Sequence, residues 1–479
     1  MLPRVRSKNF MLKRFNIKFI GSLAAIGLSL GFPIVAGPTQ ATVSFAVLLA
    51  TCGFCIFRLR SSAGRALEGS SALVVLLIAA IYAIGLVDRP GPVFGINPTG
   101  EDYQLTAIGL VSLLAGALIT TTFRRQLSAR SHAPAAFPRV AFGRDHRLVV
   151  IAILAMAAAL LNYATGGIPI LSDDVDGSRF AGNYGILGRF WPLILPILQV
   201  VVIVASTRIL ARNSGRRWLF LGLLALLFLL LSGGRSLFVI PLIAIGLLTV
   251  DFLRPRFRTI LLSAIGGFAI IGAFGYARTL GSSGSQASIS YLGTREQDSW
   301  FGALDISLQT GPRVMSAARE VIHDNFLSGQ FFWADLQNFL GLQVSPSDRL
   351  VTVLLDRQPD QVGGLPPTIF GGLYLDWGMF GVILGAFVIG GLLEFFRARG
   401  LAKLNLPNIV WSYYFLAYIL MSVYSYVGAK PNLLFAAVVC LFAFDRDKGV
   451  FSENSNGFKV SRVPGRGGGA PTGFDGRPN

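Results

Sequence analysis

Charge is scarce in this sequence. Asp, Glu, Lys and Arg make up 14% of the 479 residues, while 53% are hydrophobic; ordinary soluble domains carry about 25% and about 45–50%. That balance excludes a water-soluble globular protein. Acidic residues are scarcer than basic ones, 24 against 42, for a net charge of +18. In a soluble chain such an excess points to nucleic acid, because basic patches neutralise phosphates. Here the charges sit in short clusters between long apolar runs, the pattern of a chain threaded repeatedly through a bilayer. Nucleic acid is therefore not an expected partner. Cysteine is nearly absent too. Cys52, Cys55 and Cys440 all lie in apolar segments, so no disulfide framework follows. The Cys52/Cys55 spacing has no second pair and no nearby histidine, and it reads as small, polarizable packing residues. The three histidines, His132, His146 and His323, are too scattered for a metal cluster, and neither a metal nor a cofactor is expected.

What is abundant is apolar sequence of spanning length. A bilayer core about 30 Å thick needs about 20 mostly apolar residues in a helix. Segments approaching this length run 19–36, 41–57, 71–87, 105–123, 148–164, 191–207, 218–234, 237–253, 259–277, 369–393, 408–427 and 432–444. The fold class expected is an all-α polytopic membrane protein with about 12 transmembrane helices; the close pair 218–234 and 237–253 leaves 11 open. The first apolar segment is followed at once by a second, which favours an uncleaved helix over a signal peptide.

Orientation follows from the basic residues, which stay cytoplasmic. Alternate loops 1–18, 58–65, 124–147, 208–217, 254–258 and 397–403, with the tail beyond 444, hold 31 of the 42 basic residues. Both termini are thus expected in the cytoplasm. The organisation reads as a basic tail over 1–18, nine spans over 19–277, a large outward loop over 278–364, three spans over 365–444 and a disordered, Gly/Ser/Pro-rich tail over 445–479. The large loop opens on a Gly/Ser hinge at 281–285. It then mixes Trp300, Phe301, Leu304, Phe326, Phe331, Phe332 and Trp333 with charged residues, the composition of short amphipathic helices at a membrane surface or over a cavity.

Arginines on the outward side oppose the bias that sets the topology, and four of them are candidate binding residues: Arg179, Arg189, Arg235 and Arg278. An arginine near the bilayer needs a counter-charge or a wet cavity. Its planar guanidinium matches phosphate oxygens through two parallel hydrogen bonds and keeps its charge, which suits a diphosphate on a lipid anchor. Snorkelling into the head-group region is the alternative for Arg179, Arg189 and Arg278, whereas Arg235 follows two glycines that permit close backbone approach. Asp376, inside an apolar span, is a candidate catalytic group or the partner of an arginine. His323 is a candidate general base or an ordinary surface histidine. The triplet Asp173, Asp174 and Asp176 fits a divalent cation or a solvated turn.

The block Gly363-Gly364-Leu365-Pro366-Pro367-Thr368-Ile369-Phe370-Gly371-Gly372-Leu373-Tyr374-Leu375-Asp376-Trp377-Gly378-Met379-Phe380-Gly381 resembles the corresponding segment of bacterial O-antigen and oligosaccharide repeat-unit polymerases of the Wzy type. So do Gly166-Gly167-Ile168-Pro169-Ile170-Leu171 followed by Arg179, and the Gly-Gly-Arg-Ser turn at 233–236. The resemblance spans roughly 150–395. It implies an inner-membrane glycosyltransferase with a large periplasmic loop, which moves a growing glycan from undecaprenyl diphosphate to the next lipid-linked repeat unit without metal or nucleotide sugar. It also implies a flippase and a chain-length regulator as pathway partners, and functional arginines in periplasmic loops. Some members carry a glycine eleven positions after such an arginine; here that offset leads from Arg179 to Phe190 and from Arg278 to Ile289. Two rivals share parts of the pattern. An O-antigen ligase would have the same anchor and topology, and a transporter would show two related halves, of which the sequence carries no convincing repeat.

Overall fold

The computed structural model of the chain describes residues 69–86, 98–127, 146–172, 186–211, 216–253, 255–281, 300–323, 325–355, 365–402 and 405–444, with 50, 51 and 53. The remainder of the expected spans 19–36 and 41–57, Cys52, Cys55, His132, Asp173, Asp174, Asp176, Arg179, positions 282–285 and the tail from 445 lie outside the described residues.

Every described element is a helix: α1 (Ser70–Gly85), α2 (Gly100–Leu127), α3 (His146–Gly166), α4 (Trp191–Leu210), α5 (Arg216–Leu231), α6 (Arg235–Leu253), α7 (Phe257–Gly281), α8 (Trp300–Ile322), α9 (Gln330–Phe339), α10 (Ser347–Leu354), α11 (Thr368–Ala402), α12 (Leu406–Met421) and α13 (Pro431–Phe442), with 3₁₀ turns at Pro169–Leu171 and Gly188–Phe190. The ten apolar segments from 71–87 onward each coincide with one helix, α1–α7 and α11–α13. Among the described residues, five stretches, Gly100–Phe123, His146–Leu171, Trp191–Leu210, Ser236–Leu253 and Thr368–Ala402, are long and apolar enough to cross a bilayer. Large apolar side chains stand exposed along their sides and along neighbouring helices, among them Leu154 and Leu160 on α3, Phe220 and Leu223 on α5, Leu262 on α7, and Phe380, Leu384 and Val388 on α11. An apolar belt of that extent is unfavourable in water and ordinary against lipid.

Among the described helices the most extensive packing is that of α2 with α11. A Cβ on Gly390 would overlap the Leu113 carbonyl, and one on Gly116 would overlap the Phe387 carbonyl. Backbones in direct contact are how helices associate where lipid is as apolar as the side chains. At one end of the bundle Asp251 of α6 accepts hydrogen bonds from Ser70 N (2.9 Å), Ser70 Oγ (2.6 Å) and Tyr413 Oη (2.7 Å). Beside it Arg397 donates twice to Glu394 at 2.9 Å, and Ser71 Oγ donates to Glu394 at 2.8 Å. This buried network ties α1, α6, α11 and α12 together and defines one end of the molecule.

The opposite end carries α8, α9 and α10. The sequence suggested short amphipathic helices at a membrane surface or over a cavity here, and α8, with 23 residues, is a longer helix than that. It packs against α1, α7 and α11, with Val314, Met315, Ala317 and Ala318 buried. Small residues make room for it: the Cβ position of Gly85 lies 2.5 Å from Pro312 Cγ and 2.8 Å from the Leu308 carbonyl.

Candidate functional site

At that end α11 departs from the single straight span read from the sequence. Trp377 (φ −140°, ψ 16°) and Gly378 (φ 62°, ψ −153°) leave the helical region, and the arm Thr368–Asp376 folds back against the shaft. The Cβ position of Gly381 lies 2.5 Å from the Leu373 carbonyl, and that of Gly385 lies 2.5 Å from the Leu373 side chain. The Gly378 conformation is one that essentially only glycine adopts. The shaft from Met379 to Ala402 still has 24 residues, about 36 Å of helix at 1.5 Å per residue, enough to span alone.

Asp376 sits at the break and is 1% exposed. Its carboxylate accepts hydrogen bonds from Phe331 N (2.9 Å), Phe332 N (2.8 Å) and Tyr426 Oη (3.3 Å). The N-cap of α9 is Gly329, which has no side chain to satisfy the first amides of its helix; Asp376 supplies the missing acceptor from 45 residues away. Neighbouring backbone bonds complete the seam: Leu327 N to Leu375 O and Ser328 N to Asp376 O, both 2.9 Å, and Ala429 N to Phe332 O, 2.9 Å. Asp335 repeats the device, accepting from Ser347 N and Oγ at 2.9 Å at the start of α10.

Strain and buried charge gather here. Among the described residues, the non-glycine residues with positive φ are His323 (44°), Ser328 (49°) and Thr368 (70°), all at this end. Such conformations cost of order 1–3 kcal/mol each and persist where surrounding structure holds them, commonly at functional sites. Thr368 is held by Tyr82, whose hydroxyl lies 2.5 Å from Thr368 Oγ1 and stacks its ring on Phe370 at 5.0 Å. Arg313 of α8 is completely buried, an uncommon placement for a guanidinium. Arg319, six residues further along α8, reaches across to α2: Nε donates to Asp102 Oδ1 (2.7 Å), Nη2 to Thr99 Oγ1 (2.8 Å), and Nη1 pairs with Glu101. Burial alone would lower the Arg319 guanidinium, but the hydrogen bond and charge of Asp102, with Glu101, outweigh it and hold the group above its ordinary value. Asp102→Asn should therefore destabilise the fold by about 2 kcal/mol, since it removes the buried one of the two counter-charges of a mostly buried guanidinium and leaves the exposed Glu101. A drop in thermal unfolding midpoint of the detergent-solubilised protein measures it, and no drop would show that Arg319 finds compensation elsewhere.

Of the residues read from the sequence, His323 is exposed at the end of α8. Arg189 lies in the turn Gly188–Phe190 before α4, Arg235 is the first residue of α6, and Arg278 is in the last turn of α7. Since α6 runs from Arg235 to the Asp251 network at the far end, and α7 returns antiparallel to it, the topology puts Arg235 and Arg278 at the α8–α10 end. Arg189 joins them because α4 runs beside α6, with Gln199 bonded to Leu237. Arg179 and the acidic triplet lie outside the described residues. Sequence reasoning missed Arg313, Arg319 and Tyr426. An arginine inside an amphipathic loop helix reads as solvated, and only the fold places these two against α1, α2 and α11.

Comparison with known proteins gives one positive finding. The family model described as "Putative O-antigen polymerase" matches residues 69–442, which is more than three quarters of the chain. No curated protein and no solved structure matches. The matched region covers α1 through α13, including the break at Trp377–Gly378 and the helices that close over it. The chain belongs to the O-antigen polymerase family.

Proposed function

We propose that this membrane polymerase transfers a growing glycan from undecaprenyl diphosphate to a hydroxyl of the next lipid-linked repeat unit, at the periplasmic face of the bacterial inner membrane and with both termini cytoplasmic. The observation that carries the reading is the convergence of Arg189, Arg235 and Arg278, by backbone position, on the end of the bundle that also holds the strained residues and the folded-back arm of α11. Arg179 completes the proposed set by its place in the sequence.

The acceptor oxygen attacks the anomeric carbon, and the bond from that carbon to the diphosphate oxygen breaks with its electrons passing to the leaving group. Negative charge builds on the diphosphate, where fixed guanidinium donors in a low-dielectric site stabilise it. The hydroxyl proton passes to a positioned acceptor. His323 is the candidate for that role, while Asp376, whose oxygens already accept from two backbone amides and a tyrosine, is assigned to holding α9 over the site. Holding two tethered substrates in register supplies further acceleration. A flippase delivering the lipid-linked unit and a chain-length regulator are the proposed pathway partners.

The test is complementation of a strain lacking its own polymerase. Arg179→Ala, Arg235→Ala and Arg278→Ala should each weaken the lipopolysaccharide ladder, with transfer rates down roughly 10- to 100-fold for each lost charge-assisted contact. A full ladder from all three would sink the arginine assignment, and single-step capping in place of a ladder would favour a ligase.

A further inference from the structure

The first turn of α6, which carries Arg235, is built around a missing hydrogen bond. In a regular helix the Leu237 carbonyl accepts from the amide four residues on. That residue is Pro241, inside the helix, and proline has no N–H to give. In a bilayer an unsatisfied carbonyl is costly. The donor comes from another helix: Gln199 Nε2 of α4 lies 2.7 Å from the Leu237 carbonyl oxygen. The amide is aimed by a second contact, since Tyr414 Oη of α12 donates to Gln199 Oε1 at 2.8 Å. Both side chains are buried, and the carbonyl can only accept, so the two partners fix which end of the carboxamide faces α6.

We infer that Gln199 is a positioning residue for Arg235, its carboxamide replacing the N–H that Pro241 removes and so fixing the turn from which Arg235 departs. The inference rests on the reading above that Arg235 holds the diphosphate. The local geometry supports a turn that needs such fixing. Gly233, at the end of α5, adopts φ 71°, and Leu237 N bonds to Gly234 O at 3.1 Å, so the direction of the first turn of α6 is set by a two-residue hinge on one side and by the Gln199 clamp on the other. Three helices, α4, α6 and α12, meet at this one carboxamide.

The experiment uses the full chain in proteoliposomes and, as substrate, the lipid-linked repeat unit accumulated by a polymerase-deficient strain. Gln199→Leu should raise KM for that donor about tenfold, the scale of one hydrogen bond that fixes a binding group. A purely structural loss would lower the active fraction and the apparent kcat and leave KM alone. The decisive variant is Gln199→Leu combined with Pro241→Ala, which returns an N–H to Leu237 from within α6; KM should come back to within about twofold of the unmodified protein. An unchanged KM in Gln199→Leu, or no recovery with Pro241→Ala, overturns the inference. Arg235→Ala separates the two levels: normal transfer from it defeats the diphosphate reading together with the positioning role, whereas defective Arg235→Ala beside normal Gln199→Leu defeats the positioning role alone.

Discussion

Replacing Asp376 by alanine should cost about 4 kcal/mol, because it orphans three buried donors at once, each worth about 1–3 kcal/mol when left unsatisfied. Those donors are Phe331 N, Phe332 N and the Tyr426 hydroxyl. The loss falls on the docking of α9, which has glycine at its N-cap and no acceptor of its own. Hydrogen exchange at Phe331 and Phe332 should accelerate by about three powers of ten, the equivalent of 4 kcal/mol at 1.4 kcal/mol per decade. Exchange in α4 and α5, which pack mainly on each other and on helices other than α9 and α11, should change far less. Asp376→Asn keeps one acceptor oxygen and should fall between. The pair of variants also separates positioning from proton transfer. If Asp376 took the acceptor's proton, Asp376→Asn would stop turnover while α9 stayed protected. If it holds α9, protection and turnover should fall together.

How much of this could be read from the chain depends on how far apart the interacting groups are. Ten of the described helices announced themselves by apolar runs, since an apolar helix satisfies its own backbone and needs no partner to be recognised. The break in α11 did not, because hydropathy sees Thr368–Ala402 as one run. Its eight glycines at 371, 372, 378, 381, 385, 390, 391 and 400 look alike in sequence, yet only Gly378 among them has positive φ, while Gly390 serves backbone contact with α2. Asp376 was legible as a charge in an apolar segment, but its partners were not. An arginine was one expectation, and two main-chain amides are what it meets, together with a tyrosine. Glycine at an N-cap is a usable signal, for Gly69 before α1 and Gly329 before α9 are each answered by a distant aspartate, Asp251 and Asp376. Nothing in local pattern links Arg319 to Asp102, 217 positions away. Gln199 was legible in principle, as an amide in an apolar span, and Pro241 as a helix proline; their pairing required the fold.

Gly378→Ala should destabilise the protein by about 3 kcal/mol or more, from two sources that can be separated. The first is conformational: φ 62° with ψ −153° is open to glycine and strained for any residue with a Cβ, costing about 1–3 kcal/mol. The second is steric, for a Cβ there would stand 2.6 Å from Phe326 Cζ and within 3.1 Å of two further ring atoms, an overlap that typically costs about 1–3 kcal/mol. Phe326→Ala in the Gly378→Ala background removes the overlap and leaves the strain, so the unfolding midpoint should recover only in part. Gly246→Ala in α6 is the control, with open space around its Cβ position and a small gain expected from helix propensity. Because the arm Thr368–Asp376 is folded back through Trp377 and this residue, polymer laddering in the complemented strain should fall with Gly378→Ala and persist with Gly246→Ala. Full stability and a full ladder from Gly378→Ala would mean that α11 runs straight through position 378 in the working enzyme, and that the seam joining Asp376 to α9 is not the arrangement in which the glycan is transferred.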